Sequence, residues 1–282
     1  RHMCGVSVIT GGLGGLGLCA ARLLVRHGTE ALVLASRSGT IPRAGQGLLE
    51  SLQQLRREIS SVVVCAADTG SSDDIVALLR ASMRPTAVLH RVLHAAGLGD
   101  KGLLEDVVPR RLYHVLSPKA VGSWLIHAAT SRDVLEAMLS YSSVAALFGN
   151  TGQLSYASVN AYLDSLVLAR GAAGSVGWSM QWPVVGGAGM GAAAFSATQM
   201  QFKGMAAIEL DDYSRCLQWI MLDGAAAGYG MSTALPWGSR QLMHGLPAGS
   251  QPRFCELEVA CAAGCTPSSA AVTSCRPSSS NS

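Results

Sequence analysis

A short apolar strand that runs straight into a glycine turn constrains this chain more than any other feature. Val6 to Ile9 is followed at once by Thr10-Gly11-Gly12-Leu13-Gly14-Gly15-Leu16-Gly17. The spacing predicts a helix from about Gly15 to His27, with Leu16, Ala20, Leu23 and Leu24 on one face and Gly28 as the left-handed residue that stops it. Residues 12–17 satisfy G-x-G-x-x-G, a pattern that carries little by itself in a chain with 32 glycines. Placed between the first strand and the first helix it carries much more, because a pyrophosphate approaches the amides of a helix N-terminus only where Cβ atoms are missing. The expected fold is α/β: a doubly wound parallel sheet of the Rossmann type, with helices on both faces. Thr10, Gly11, Gly12, Gly14, Gly15, Leu16 and Gly17 would then border a dinucleotide.

The rest of the chain continues the alternation. A second strand, Ala31 to Leu34, ends in Ala35-Ser36-Arg37-Ser38. An NAD site usually places an acid near this point to hold the ribose hydroxyls, whereas an arginine pairs with the 2′-phosphate of NADP. Arg37 therefore points to NADPH, and Ser36 beside it is placed in the same cofactor-binding set. Leu48, Leu52, Leu55 and Ile59 form a helical stripe, and Val62 to Ala66 a strand ending near Asp68, which is assigned to the adenine amine. Ile75, Leu78 and Leu79 mark another helix. Val88 to Leu93 is a strand leading into His94-Ala95-Ala96-Gly97, where small residues let the backbone pass beneath a cofactor or let a helix pack close. A helix is expected from Pro109 to Ala129, carrying Lys119 beside core-facing positions. Val176 to Gln181 reads as a strand before Trp182-Pro183 and a glycine-rich run, Asp211 opens a helix, and Tyr229 to Ala234 reads as the last strand.

The stretch from Ser142 to Arg170 brings polar groups together. Ser143 ends an apolar strand, and Tyr156 and Asn160 are four residues apart in the helix that follows, so they leave the same face, with Leu163 and Val167 continuing the row. Alone, this segment suits a proton-donating site and a buried tyrosine beside a capping serine equally well. A phenol that gives up its proton near neutral pH needs a cation nearby, since its ordinary pKa is about 10. The chain has three lysines, Lys101, Lys119 and Lys203, and Lys119 is the one on a strong helix.

Composition narrows the classes. Of the 282 residues 49% are hydrophobic and 14% charged, enough for one large core. A formal net charge of +3 with no basic block, and 5% aromatic residues, give no footing for nucleic-acid binding. No run approaches the roughly 20 apolar residues of a membrane span, and the N-terminus lacks a signal-peptide plan, so a soluble cytoplasmic chain is expected. It opens on Arg1 rather than Met, so either a piece of something longer or an added N-terminal scar is expected. Cys255, Cys261, Cys265 and Cys275 crowd the C-terminus without a CxxC pair, with His244 the one histidine near them, and no metal site is assigned. One catalytic domain is expected over residues 1–246. The Ser, Pro, Ala and Cys that dominate 247–282 read as a disordered tail or linker.

The segments TGGLGGLG, HAAG, SPK, SSVAALFGNTGQ and YASVN together resemble the ketoreductase domain of modular polyketide synthases and animal-type fatty acid synthases, a branch of the short-chain dehydrogenase/reductase superfamily. The resemblance spans roughly residues 5 to 245. Ordinary members of that superfamily carry Lys four residues after the tyrosine and Asn on the middle helix; here Asn160 and Lys119 hold those places in exchange, as in the synthase-embedded branch. It implies reduction of a β-ketoacyl thioester by NADPH, the substrate arriving on the phosphopantetheine arm of an acyl carrier protein among neighbouring synthase domains. Tyr156 would donate the proton, Ser143 would hydrogen-bond the same oxygen, Lys119 would lower the tyrosine pKa and contact the nicotinamide ribose, and Asn160 would hold Lys119 or a relay water. Ala95, Ala96, Gly97 and Pro183 would line the cofactor with the glycine turn, Asp68, Lys119 and Tyr156. Gly189-Met190 and a short helix near Gln199 would form a substrate lid. The family also has an N-terminal structural half, and with so little before Val6 the chain resembles the catalytic half alone. Leu98-Gly99-Asp100-Lys101 and Phe148 complete neither stereochemical signature of the family. A stand-alone reductase of a small ketone, and a scaffold that binds cofactor without reducing anything, are the competing classes.

Overall fold

Buried strands alternating with amphipathic helices can close their backbone hydrogen bonds only as a sheet covered on both faces, and the computed structural model has that form. It describes residues 5–42, 46–82, 88–100, 102–103, 105, 107–150, 152–187, 207–224, 228–235 and 271–275. Strands β1 (Val6–Thr10), β2 (Ala31–Ser36), β3 (Val62–Ala66), β4 (Leu89–His94), β5 (Ala137–Ser143), β6 (Gly177–Trp182) and β7 (Tyr229–Leu235) lie parallel in the order β3-β2-β1-β4-β5-β6-β7. The chain reverses its winding between β1 and β4. In such sheets the crevice beyond the strand C-termini at that reversal is where ligands bind.

Helices α1 (Gly15–Arg26) and α2 (Leu48–Glu58) cover one face together with the helix Leu210–Trp219. The other face is covered by α3 (Ser72–Ser82), by α4 (Pro109–Leu116) and α5 (Gly122–Ala129), and by the long helix Leu154–Ala172. In chain order the short helix Val144–Phe148 is α6, Leu154–Ala172 is α7 and Leu210–Trp219 is α8. Leu18, Leu24, Leu32 and Leu34 fill the first interface, and Val8, Val33, Ile75 and Ile126 the second.

The tail departs from expectation. Residues 271–275 form β8, antiparallel to β7 with Thr233 opposite Thr273, so a structureless 247–282 does not hold there. The physical reason is the free edge of β7, whose unpaired backbone groups accept any short β-branched run such as Val272-Thr273.

One buried tie joins three elements. Tyr213 of α8 donates its hydroxyl proton to Leu16 O at 2.9 Å, and the Tyr141 hydroxyl of β5 donates to Tyr213 at 2.8 Å. Burial raises the pKa of both phenols, so the pair stays neutral and hydrogen-bonded. Tyr213→Phe leaves a buried donor and a buried acceptor unpaired and is expected to cost about 1–3 kcal/mol. Urea unfolding reads this directly; an unchanged midpoint would show that water or repacking replaces both bonds.

Candidate active site

The site assembles at the C-terminal ends of β1 to β5. Gly11 follows β1 with a φ of 68°, and a Cβ there would stand 2.8 Å from the Ala95 carbonyl and the Ala96 amide, so the glycine turn and the strand end after β4 pass closer than any other residue would permit. A Cβ on Gly17 would stand 2.4 Å from Gly11 O. One on Gly14 would meet only that carbonyl, at 3.2 Å. The glycines therefore divide their work: Gly11, Gly12 and Gly17 let the turn fold on itself, and Gly14 keeps the approach to the helix open. No side chain caps α1 and no acid stands in its first turn, so its first amides remain available to an anion.

A cleft of about 350 Å³ opens beside this turn, lined by Gly11, Ser36, Arg37, Asp68, Ala96 and Gly97 from the expected set. Tyr113, His114, Ser117 and Pro118 of the middle helix form the opposite wall and were not anticipated. Arg37 is exposed just beyond the end of β2. Asp68 spends one carboxylate oxygen on the Gly70 amide at 2.9 Å, which fixes its own loop. Pro183 is buried just beyond β6 and is not among the cleft-lining residues. The expected lid at Gly189-Met190 and Gln199 lies outside the described residues.

The middle helix is broken where the sequence suggested one continuous element. Pro118 has no N–H to give, and Ser117–Val121 widens into a π-helical turn in which the Gly122 amide reaches back to Ser117 O. Side chains from neighbouring strand ends bond two carbonyls of the turn: Thr69 Oγ1 donates to Pro118 O at 2.9 Å, and His94 Nε2 donates to Lys119 O at 3.1 Å. Since Nε2 carries the proton, Nδ1 accepts from Thr10 Oγ1 at 2.7 Å. His94 thus ties the strand that opens the glycine turn to the segment that carries the lysine.

Lys119 is the centre of the arrangement. A lone helical lysine is ordinarily solvated, yet this one is 4% exposed. Its Nζ donates to Asn160 Oδ1 at 2.6 Å and to Tyr141 O at 2.7 Å, and lies 5.4 Å from the centre of the Tyr156 ring. The stem lies so close over Gly97 that a Cβ there would stand 2.4 Å from Cε. Desolvation pulls the ammonium pKa down to about 7. Asn160 Nδ2 donates to Tyr156 O at 2.7 Å, which fixes the amide with its oxygen toward the lysine. Burial raises the Tyr156 pKa, and hydrogen bonding from Ser143 and Asn160 draws it back. Ser143 also caps α6, its Oγ accepting from the Ala145 amide at 3.2 Å, so the capping role and the place beside the phenol coexist. The structure brings Lys119, Ser143, Tyr156 and Asn160 together.

Asp164 was missed. It lies one turn beyond Asn160 on α7, is 7% exposed, and accepts from Ser179 Oγ at 2.5 Å and Gln181 Nε2 at 2.8 Å. A spacing of i+4 from Asn160 was the one sequence signal for it.

His94 supplies a pH test of this construction. Burial pushes its pKa from the ordinary 6.5 down to about 4, so the folded ring stays neutral where the unfolded one charges. Stability from this source is therefore complete above about pH 6.5 and is lost as pH falls toward about 4, by about 3 kcal/mol in all. His94→Gln keeps a donor and an acceptor without the titration and should flatten that part of the stability curve. If wild type and variant show equal slopes in urea unfolding between those pH values, His94 is not the titrating group.

Comparison with known proteins agrees with the geometry. The KR domain family matches residues 5–187. The spectinabilin polyketide synthase system protein NorB of Streptomyces orinoci is 38% identical over 213 residues, covering 74% of this chain and 10% of that protein. A mycocerosic acid synthase-like polyketide synthase of Mycobacterium tuberculosis is 36% identical over 178 residues, 63% of this chain and 8% of its own length. Among solved structures, an A-type ketoreductase from a modular polyketide synthase superposes with a TM-score of 0.77 at 28% identity, covering 86% of this chain and 50% of that one. The first ketoreductase of the tylosin synthase gives 0.70 at 30% identity over 86% and 51%. The chain thus spans a tenth or less of these curated relatives and about half of the solved ketoreductase chains.

Proposed function

The chain belongs to the KR domain family, the ketoreductases of the short-chain dehydrogenase/reductase superfamily, and on that footing we propose that it reduces a β-ketoacyl thioester to the β-hydroxyacyl thioester in polyketide assembly, with NADPH as reductant. The substrate would be carried by an acyl carrier protein among neighbouring synthase domains. The observation that carries this reading is the buried Lys119 ammonium, bonded to Asn160 and set over the Tyr156 ring beside Ser143. A scaffold without chemistry has no need of a desolvated cation at a phenol. Among the described residues no helix is long and apolar enough to cross a membrane.

The fold implies a nicotinamide cofactor, and the residues present fit one. The uncapped start of α1, the open side of Gly14 and the cleft beside Ala96 and Gly97 suit a pyrophosphate and the ring beyond it. Bound there, the reduced nicotinamide supplies a hydride to the ketone carbon. Tyr156 donates its proton to the carbonyl oxygen as negative charge grows on it, and Ser143 hydrogen-bonds the same oxygen. Burial keeps the phenol protonated until that moment. The phenolate left behind is stabilised by Ser143, by Asn160 and by the ammonium. Lys119 uses two of its three N–H bonds on Asn160 and Tyr141, and the third is assigned to the nicotinamide ribose.

With a β-ketoacyl N-acetylcysteamine thioester, NADPH oxidation should be measurable. Tyr156→Phe should lower kcat by about 100-fold or more while cofactor binding stays intact, as expected when a general acid is removed. Ketone reduction at the wild-type rate in that variant would remove Tyr156 from the role of proton donor.

Cofactor choice is tested at the end of β2. Arg37 would form a charge-assisted pair with the 2′-phosphate, a contact of about 1.5–3 kcal/mol. Arg37→Ala should weaken NADPH binding by roughly 10- to 100-fold and leave NADH nearly unchanged. Equal loss for both cofactors, read by fluorescence titration, would make Arg37 structural only.

A further inference from the structure

Asp164 is a buried carboxylate that the reductase mechanism above does not use. It is held by neutral donors alone, Ser179 and Gln181 of β6, while Ser142 of β5 gives its proton to the Asn160 carbonyl at 3.2 Å. Gln181 is itself fixed, its Oε1 accepting from Thr233 Oγ1 of β7 at 2.6 Å. Two strands, β6 directly and β7 through Gln181, thus orient one side chain on the inward face of α7. Satisfying a carboxylate with neutral donors pays for its desolvation only in part, and an isolated buried charge is costly enough that such groups neutralise or find an opposite charge.

The opposite charge is on the page. Asp164 follows Asn160 by one helical turn, and Asn160 Oδ1 accepts from Lys119 Nζ. The residue that binds the ammonium and the carboxylate one turn along therefore share one buried face of α7, and the two charges act on one another. We infer that Asp164 is a positioning residue for the reductase site: a buried counter-charge that keeps Lys119 protonated without touching substrate or cofactor.

The groups facing the pair support this from each side. From β4 comes the neutral His94 ring on the Lys119 carbonyl, from β5 the Tyr141 carbonyl and the Ser142 hydroxyl, from β6 Ser179 and Gln181, from β7 Thr233 through Gln181, and from α7 Asn160 and Tyr156. None of these is an ionised base or acid at neutral pH. Among the described residues, Lys119 supplies the charge that acts on Asp164, and Asp164 the charge that raises the Lys119 pKa against desolvation. A direct ion pair would place the carboxylate where the phenol needs the cation. Set behind Asn160, it holds the ammonium charged and leaves its N–H bonds for Asn160, Tyr141 and a third acceptor.

The inference rests on the proposed function for its catalytic consequence but not for its first test. With three lysines in the chain, ¹³Cε-lysine labelling gives three resonances, and loss of one in Lys119→Met assigns Lys119. In the full chain without substrate, Asp164→Asn should lower the Lys119 titration midpoint by on the order of one pH unit or more. An unchanged midpoint in a folded Asp164→Asn protein overturns the inference. If Asp164→Asn does not fold, Lys119→Met reads the same coupling from the other side. Infrared difference spectra should then show a buried carboxyl protonating at a higher pH than in wild type, and an unchanged value overturns the inference equally. The kinetic readout follows: kcat of Asp164→Asn should fall as pH rises, beginning at least about one unit lower than in wild type. Coupled titration in a chain with no ketone reduction would sink the functional reading and leave the electrostatic one standing.

Discussion

The burial of one ammonium organises this site. Taking Lys119 out of water costs several kcal/mol unless its donors are satisfied and a charge answers it, and desolvation draws its pKa well down from the ordinary lysine value while Asp164 opposes the shift. Each neighbouring feature acts on that balance. The Tyr141 carbonyl at the far end of β5 and the Asn160 amide on α7 take two N–H bonds. Gly97 leaves room for the methylene stem, which would otherwise strike a Cβ. The outcome is a cation positioned by packing and hydrogen bonds, near a phenol whose conjugate base is too unstable to form alone.

The lysine's place depends in turn on an irregularity in its helix. An unbroken α-helix through Ser117–Val121 would close its own carbonyls; the π-helical turn forced by Pro118 presents them to Thr69 and His94. Through the neutral His94 ring the same construction reaches Thr10, the last residue before the glycine turn. Thr10 and His94 are also register partners across β1 and β4, so the tie crosses the sheet at the point where its winding reverses. The anion-binding turn and the lysine are thereby fixed to one another through two side chains and a carbonyl, and a shift of either would break buried hydrogen bonds.

Much of this was legible in sequence because it repeats with a period. The alternation of strands and helices, the glycine turn and the Tyr156–Asn160 spacing follow from apolar periodicity and from the steric needs of a close backbone approach, and the parallel sheet has that order. What was not legible depends on contacts distant along the chain. The π-helical turn had Pro118 as a local sign, but its consequence, a buried Lys119, needed Thr69 and His94 from other strands. β8 was invisible because Ala271–Cys275 is short, follows a biased stretch and gains its structure from the open edge of β7.

Helix α7 shows why periodicity alone could not have found Asp164. Its buried positions include Ser155, Asn160, Asp164 and Arg170, while Leu154, Tyr162 and Leu168 face outward. A helix read by hydrophobic face would be turned so that these polar residues met water. Asn160, Asp164 and Arg170 are inside because each has a partner that only the folded chain provides: Lys119 for Asn160, Ser179 and Gln181 for Asp164, His127 and the Val176 carbonyl for Arg170. A buried polar row of this kind adds little net stability, since replacing satisfied charges by apolar groups is often neutral or favourable. Its retention on the helix that also carries Tyr156 is better explained by what the row does to the phenol and its cation than by what it contributes to holding the sheet together.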